Sequence, residues 1–247
     1  MEIPMRDYKV ELENRVAFIQ KLLKESGAKG IIYGNSGGKD SALVGILCKK
    51  ACDNTTGIIM PCESKRNFEE DMKDGLDVAK KFGIETRTVD ITPVKLDLIK
   101  AIEGKAELTK SAISNIAPRL RMTTLYAIGA AEGKLVAGTG NRAEAYMGYF
   151  TKYGDGGCDF NPIIDLTVGE IYEFLAYLGA PENIIKKAPS AGLYEGQTDE
   201  KEMGVTYAAI DKYILTGQGD PKDIAIIDRY HKNSEHKRRM PTYYGVK

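Results

Sequence analysis

No excess of charge of either sign marks this sequence. Its 35 basic and 35 acidic residues cancel to a formal net charge of zero, with a pI near 6.8. A chain without a global positive field has no general hold on a polyanion, so no nucleic-acid partner is expected. Histidine is scarce, with only His231 and His236, and none of the four cysteines (Cys48, Cys52, Cys62, Cys158) forms a C-x-x-C pair. That spacing offers no disulfide framework and no reactive dithiol; it fits free thiols in a reducing cytosol. No apolar run approaches the ~20 residues needed to cross a bilayer, and the N-terminus lacks the apolar stretch of a signal peptide. The expectation is a soluble, cytoplasmic protein with no membrane partner.

What is present is enough apolar sequence for a real core: 43% of 247 residues, a length that fits one large α/β domain or two small ones. Leu12, Val16, Ile19, Leu22 and Leu23 recur at helical spacing, predicting a helix from Arg6 to Ser26 that stops at Gly27. Strands are predicted at Gly30 to Gly34, Thr56 to Met60, Ile84 to Val89 and Leu135 to Ala137. Between them lie helices at Lys39 to Cys52, Asn67 to Phe82, from Thr92-Pro93 onward, and Ala112 to Glu132, with Pro118 a kink or boundary. Strands alternating with helices predict an α/β fold: a parallel sheet with helices on both faces. Beyond Gly138 the chain reads as a Tyr/Gly/Asp-rich loop from Tyr149 to Pro162. A helix from Thr167 to Leu178 follows, opened by a Thr167–Glu170 capping box, and then a lid-like loop from Pro189 to Asp199. Helices at Glu200 to Leu215 and Pro221 to Ser234 precede a basic run, His236-Lys237-Arg238-Arg239. No repeat or linker divides the chain, so 1–247 is expected to form one domain.

The richest stretch is Gly34-Asn35-Ser36-Gly37-Gly38-Lys39-Asp40-Ser41, between the first strand and its helix. Free N–H groups, the helix dipole and glycines that admit a close anion make such a turn a phosphate site. It is not a Walker A loop, because the lysine precedes Asp40 and not the hydroxyl residue; nor is it G-x-G-x-x-G. The acid and two hydroxyls suggest a metal-bound nucleotide, with Asp40 ligating Mg²⁺ beside the phosphate.

Ser36-Gly37-Gly38-Lys39-Asp40-Ser41 resembles the pyrophosphate loop of the N-type ATP pyrophosphatases, which cleave ATP between its α and β phosphates. Gly138-Thr139-Gly140-Asn141-Arg142-Ala143-Glu144, the run from Gly148 to Gly157, Arg119-Leu120-Arg121-Met122, Pro189 to Leu193, Gly196 to Glu200 and His236-Lys237-Arg238 are similar to the signature of NAD synthetases. The likeness runs from about residue 8 to 240. It implies a Rossmann-like adenine nucleotide alpha hydrolase fold and a ligase with Mg²⁺ as cofactor and ATP as co-substrate. Such an enzyme amidates nicotinic acid adenine dinucleotide (deamido-NAD) with ammonia, through an acyl-adenylate.

The same resemblance implies roles for particular residues. Gly34, Asn35, Ser36, Gly37, Gly38, Lys39, Asp40, Ser41, Met60, Thr139 and Ser190 fall on ATP-binding positions. Asp40 and Glu144 fall on metal ligands. Arg119, Tyr126, Lys152, Asp159, His236 and Lys237 fall on positions that contact deamido-NAD, and Asp40, Lys152 and Asp159 are the implied catalytic set. Read from the residues alone, plainer alternatives stand beside several of these. Glu144 equally suits a solvated helix carboxylate, Met60 and Tyr126 core packing, and Lys152 and the basic run plain surface. One departure is specific: where many relatives carry a lysine that touches ATP, this chain has Val168. Lys39, Lys152 or a lysine of the lid are the candidates to replace it. With the likeness filling the chain, no glutamine-hydrolysing domain is expected and free ammonia is the nitrogen donor. The family implies a homodimer with the dinucleotide site at the interface. The alternatives are another pyrophosphatase of the superfamily, acting in tRNA modification or sulfur transfer, and an ATP-sensing module without turnover.

Overall fold

The computed structural model describes residues 6–65, 67–187 and 199–245. Helix α1 (Tyr8–Ser26) opens on Asp7, whose carboxylate accepts from the amides of Lys9 and Val10, and closes on Gly27 in the left-handed conformation. Four strands follow: β1 (Gly30–Gly34), β2 (Thr55–Ile59), β3 (Glu85–Thr88) and β4 (Lys134–Ala137). They form one parallel sheet in the order β3-β2-β1-β4, with Ile32 of β1 opposite Thr56 on one side and Val136 on the other. Parallel neighbours need crossovers, and helices supply them: α2 (Lys39–Ala51) from β1 to β2, and α3 (Met72–Phe82) from β2 to β3. Between β3 and β4 run α4 (Thr92–Ile102), α5 (Lys110–Ser114) and α6 (Ile116–Glu132).

The two-residue period of β1 sorts its side chains onto two cores. Ile31 and Tyr33 pack with Leu43, Ile46 and Leu47 of α2, Ile19 of α1, and Phe174 of α8 (Val168–Tyr177). Ile32 joins Ile58 and Val136 under Ala117 and Leu125 of α6. Helices therefore cover both faces, as the alternating pattern predicts. The fully buried Tyr33 ring fits because α2 carries Gly45, where a Cβ would stand 2.3 Å from the phenol oxygen. A third cluster joins Ala143 and Met147 of α7 (Arg142–Met147) to Val168, Tyr207, Ile210 and Ile227. It seats α11 (Tyr207–Thr216) and α12 (Pro221–Asn233) beside the C-terminal ends of the strands.

Some boundaries differ from the sequence expectation. The helix expected at Ala112 to Glu132 is two: α5 ends at Ser114, and α6 begins at Ile116, placing Pro118 in the first turn, where a missing N–H costs nothing. Pro118 is thus a boundary. The helix expected from Glu200 to Leu215 also divides. α10 (Asp199–Met203) stops before Gly204, and the Thr206 hydroxyl accepts from Ala209 to start α11 afresh. Asn67–Asp71 winds as a π-turn ahead of α3, and α7 and α9 (Glu182–Lys186) appear where no helix was expected. His236 and Lys237 lie in a 3₁₀ turn, Glu235–Lys237, so the start of the basic run is not a loose tail. The Thr167–Glu170 capping box is present in both directions. Among the described residues, no helix is long and apolar enough to cross a membrane.

Candidate active site

β1 ends at Gly34, and the next four residues turn the chain into α2. The turn is held by its own side chains. Asn35, buried, donates to the Gly75 carbonyl at 3.0 Å and accepts from the Gly37 amide at 3.3 Å. The Ser41 hydroxyl donates to the Gly38 carbonyl at 3.0 Å and stands 3.1 Å from that of Ser36. Gly37 has φ 71°, and a Cβ there would lie 2.0 Å from the Asp71 carbonyl oxygen, so both conformation and space demand glycine. Gly38 is the N-cap of α2, and no side chain caps that helix. Its first-turn N–H groups, backed by the dipole of a 13-residue helix, remain donors for an anion.

Beside the turn opens a cavity of ≈ 1010 Å³. Gly34, Asn35, Ser36, Gly38, Lys39, Asp40 and Ser41 line it together with Met60, Thr139, Glu144 and Lys237, so a phosphate loop and residues up to 200 positions away face one space. Met60 serves both readings: it is 6% exposed within the α6-side core, yet its edge reaches the cavity. Among the described residues the lining carries six cations (Lys39, Lys110, Arg121, Lys187, Arg229, Lys237). Six acids face the same space (Asp40, Asp71, Glu144, Asp155, Asp199, Glu202). With that balance, the lining alone brings no surplus of positive charge to a triphosphate.

Asp40 and Glu144 meet through Asn141. The Asn141 amide side chain donates to Asp40 at 3.2 Å and accepts from the Glu144 amide, while the Glu144 carboxylate accepts from the Asn141 backbone at 3.0 Å. This capping box starts α7 and turns Glu144 inward. Burial, and then the charge of Asp40, push the Glu144 carboxyl well above the usual carboxylate range. Half-buried, bonded to the Asn141 amide and lining the cavity, Glu144 is not placed as a freely solvated helix carboxylate. Two like charges forced together are what a divalent cation relieves, and Mg²⁺ accepts one or two carboxylates plus phosphate oxygens. The residues therefore fit the metal. No cluster of three or more His, Cys, Asp or Glu that would cage a metal unaided occurs among the described residues.

At Val168 the structure has only apolar packing: the side chain is 4% exposed against Ala143, Met147 and Tyr207. The Lys152 ammonium is engaged elsewhere, donating to the His236 carbonyl at 2.7 Å. Two other lysines flank the phosphate loop. Lys187, next to the segment 188–198, pairs with Asp71 and Asp74 and reaches the Gly37 carbonyl at 3.4 Å. The Lys39 ammonium is 2.7 Å from the Asp40 carboxylate. Ser190 and most of the expected lid fall outside the described residues.

Arg119, Tyr126, Lys152, Asp159 and His236 do not line the cavity. They fall into two hydrogen-bonded groups. The Tyr126 hydroxyl donates to Asp159 at 3.0 Å, and the Arg119 guanidinium reaches the Lys152 carbonyl at 3.4 Å. Asp159 also accepts from the Val136 amide at 2.8 Å, tying the free edge of β4. Lys237 alone of the expected dinucleotide residues faces the cavity, donating to the Gly148 carbonyl at 2.8 Å. Sequence reasoning passed over Asn141, Lys187, Tyr172 and Tyr207. Only Asn141 left a local signal, as an N-cap residue with a glutamate three positions on.

The NAD synthase family model matches residues 11–241. An NH₃-dependent NAD⁺ synthetase of Carboxydothermus hydrogenoformans is 46% identical over 238 residues, covering 95% of this chain and 97% of that one. Its counterpart in Alkaliphilus metalliredigens is 45% identical over 250 residues, covering 98% of each. Among solved structures, an NMN synthetase from Francisella tularensis superposes with a TM-score of 0.92 at 36% identity, covering 98% of this chain and 100% of that one. The NH₃-dependent NAD synthetase of Campylobacter jejuni, in complex with nitrate, gives 0.80 at 33%, covering 96% and 99%. With its fold and nearly its whole length matched, this chain belongs to the NAD synthase family.

Proposed function

We propose that the protein amidates the carboxylate of deamido-NAD with ammonia, converting ATP to AMP and pyrophosphate and yielding NAD. The observation that carries this reading is the phosphate loop with its Asp40–Glu144 pair at the mouth of one large cavity, in a chain of this family. A carboxylate resists amines because oxide is a poor leaving group. In the first step a carboxylate oxygen attacks the α-phosphorus, and the bond to the β-bridging oxygen breaks. In the second, ammonia adds to the acyl carbon, and the tetrahedral adduct expels AMP and loses a proton.

The chain's residues divide this work. The loop from Ser36 to Ser41 holds the phosphates in line, chiefly through the N–H groups of the first turn of α2, while Met60 walls the adenine, and Thr139 and Ser190 add polar contacts. Asp40 and Glu144 hold Mg²⁺, which, when bound, neutralises phosphate oxygens and stabilises departing pyrophosphate. Arg119, Lys152 and Lys237 meet the substrate's anionic groups, Tyr126 stacks on its nicotinate ring, and Asp159 and His236 complete that subsite. Since Arg119, Asp159 and His236 of this second set are exposed and Tyr126 and Lys152 half-buried, we assign it to a homodimer in which two copies enclose the substrate. The exposed Val94 of α4, lining an apolar groove of ≈ 330 Å³ between α4 and α6, supports such a contact. Free thiols at all four cysteines support a cytoplasmic setting, and we take the whole chain as one synthetase domain.

A second reading is favoured by the likeness to an NMN synthetase: the same amidation on the mononucleotide, without the adenylate half. Measuring kcat/KM with each substrate, ATP, Mg²⁺ and ammonium separates the two. The proposal predicts a preference for the dinucleotide of at least about tenfold. The reverse preference would move the assignment to the mononucleotide, and no amide product from either would sink both.

A further inference from the structure

Lys39 is placed where a cation is costly. It is the first residue of α2, at the positive end of the helix dipole, and it is only 6% exposed. Its ammonium is nonetheless well partnered. It is 2.7 Å from the Asp40 carboxylate and sits 5.6 and 6.0 Å from the ring centres of Tyr207 and Tyr172. Those partners, a carboxylate and two ring faces, are the ones a charged ammonium takes.

We propose that Lys39 is a resident counter-ion of the Asp40–Glu144 pair, making the free enzyme a poor site for a divalent cation and leaving the metal to enter with the nucleotide. This rests on the functional reading above and deepens it. Lys39 cancels one unit of the negative charge that the pair presents to a cation, and its removal restores that unit. The two Asp40 oxygens already accept, one from Lys39 and the other from Asn141. A bare cation must therefore displace or repel a buried ammonium. A metal arriving on a triphosphate brings its own compensating negative charge. The ammonium then stands beside the phosphates on the side where Val168 offers none, so one side chain serves both states.

Mn²⁺ binding, followed by the EPR signal of the free ion, tests this on the whole protein. Wild type is expected to bind Mn²⁺ weakly without nucleotide and firmly with ATP. Lys39→Met and Lys39→Gln are each expected to bind Mn²⁺ at least about tenfold tighter than wild type without nucleotide. Lys39→Arg keeps the charge and is expected to stay weak. Adding Asp40→Asn to Lys39→Met should abolish the gain. Removing a merely structural lysine would not create affinity. Unchanged Mn²⁺ affinity in the neutral variants, with Mn²⁺–ATP still bound by wild type, overturns the proposal. So would neutral variants that stay unfolded in millimolar Mn²⁺, since the ion should replace the lost charge and raise their Tm more than that of wild type. Failure of wild type to bind Mn²⁺–ATP would instead remove the functional reading underneath.

Discussion

Glu144 carries its argument in a single carboxyl group. Its raised pKa, from burial and from Asp40, means the free native protein holds a proton that the unfolded chain has already lost. The sign follows: native stability from this group is fully present at low pH and is lost as pH rises through the folded value. Metal–nucleotide binding needs the carboxylate, so it should expel that proton. Calorimetry of Mg²⁺–ATP binding in two buffers of different ionisation enthalpy should show proton release by wild type, growing as pH falls below the raised Glu144 value. Glu144→Gln should lose that release and bind at least about tenfold more weakly; release unchanged in the variant would remove Glu144 from the metal site. Gly37 is the other decisive residue. Gly37→Ala forces a Cβ against the Asp71 backbone at positive φ, and should cost about 1–3 kcal/mol in urea unfolding along with ATP binding. Gly38, with φ −96° and only the Ser36 hydroxyl near a new Cβ, should tolerate alanine better. At this scale the loop was legible because its glycines and hydroxyls are consecutive. Lys187 and Tyr207 were not, since only tertiary folding brings them to it.

Among the elements, the four strands and their order of appearance were legible because each is a short apolar run followed by a helical period. The splits at Asn115 and at 204–206 were not: α6 restarts at Ile116 with Pro118 in its first turn, and the Thr206 cap starts α11 afresh after Gly204, each within a continuous apolar pattern. The sheet also separates two kinds of charge by height. At the C-terminal ends of the strands lie Asp40 and Glu144; across the N-terminal half runs an ion-pair ladder with no place in the chemistry. Arg87 of β3 pairs with Glu132, which also meets Lys134 of β4 at 2.9 Å; Lys134 in turn donates to Thr56 of β2 at 2.6 Å. Hydrogen bonds from Arg87 and Lys134 pull the Glu132 carboxyl down to about 2. A depressed carboxylate stabilises above its unfolded pKa and loses that contribution as pH falls toward about 2. Glu132→Gln is expected to cost at most about 1 kcal/mol at pH 7, discounted for a side chain that water still screens, and much less at pH 2.5, read from urea midpoints. Equal costs at both pH values would contradict the pairing. Turnover should be unaffected.

On the scale of the whole molecule, sequence and structure agree on a parallel α/β sheet with helices on both faces, and the structure sets its glycine-rich turn beside a large cavity. The second substrate is another matter. Arg119, Tyr126, Lys152, Asp159 and His236, expected around the dinucleotide, do not line the cavity and fall into two hydrogen-bonded groups, Tyr126 with Asp159 and Arg119 with Lys152 and His236. A single sequence carries no statement of which surface meets another copy, so that placement was invisible before the fold. If two copies share the site, sedimentation should give a dimer, and a charged residue at Val94 should weaken it by at least about tenfold in Kd together with activity on the dinucleotide. A monomer with full turnover would contradict the shared site.

The central claim is that the loop directs a carboxylate onto the α-phosphorus of ATP. Its most direct test uses deamido-NAD labelled with ¹⁸O in the nicotinate carboxylate, with ATP, Mg²⁺ and ammonium, and reads the AMP by mass spectrometry. One ¹⁸O in each AMP formed, matched by one NAD and one pyrophosphate, is the expected result. Unlabelled AMP, or ADP and phosphate in its place, would contradict it.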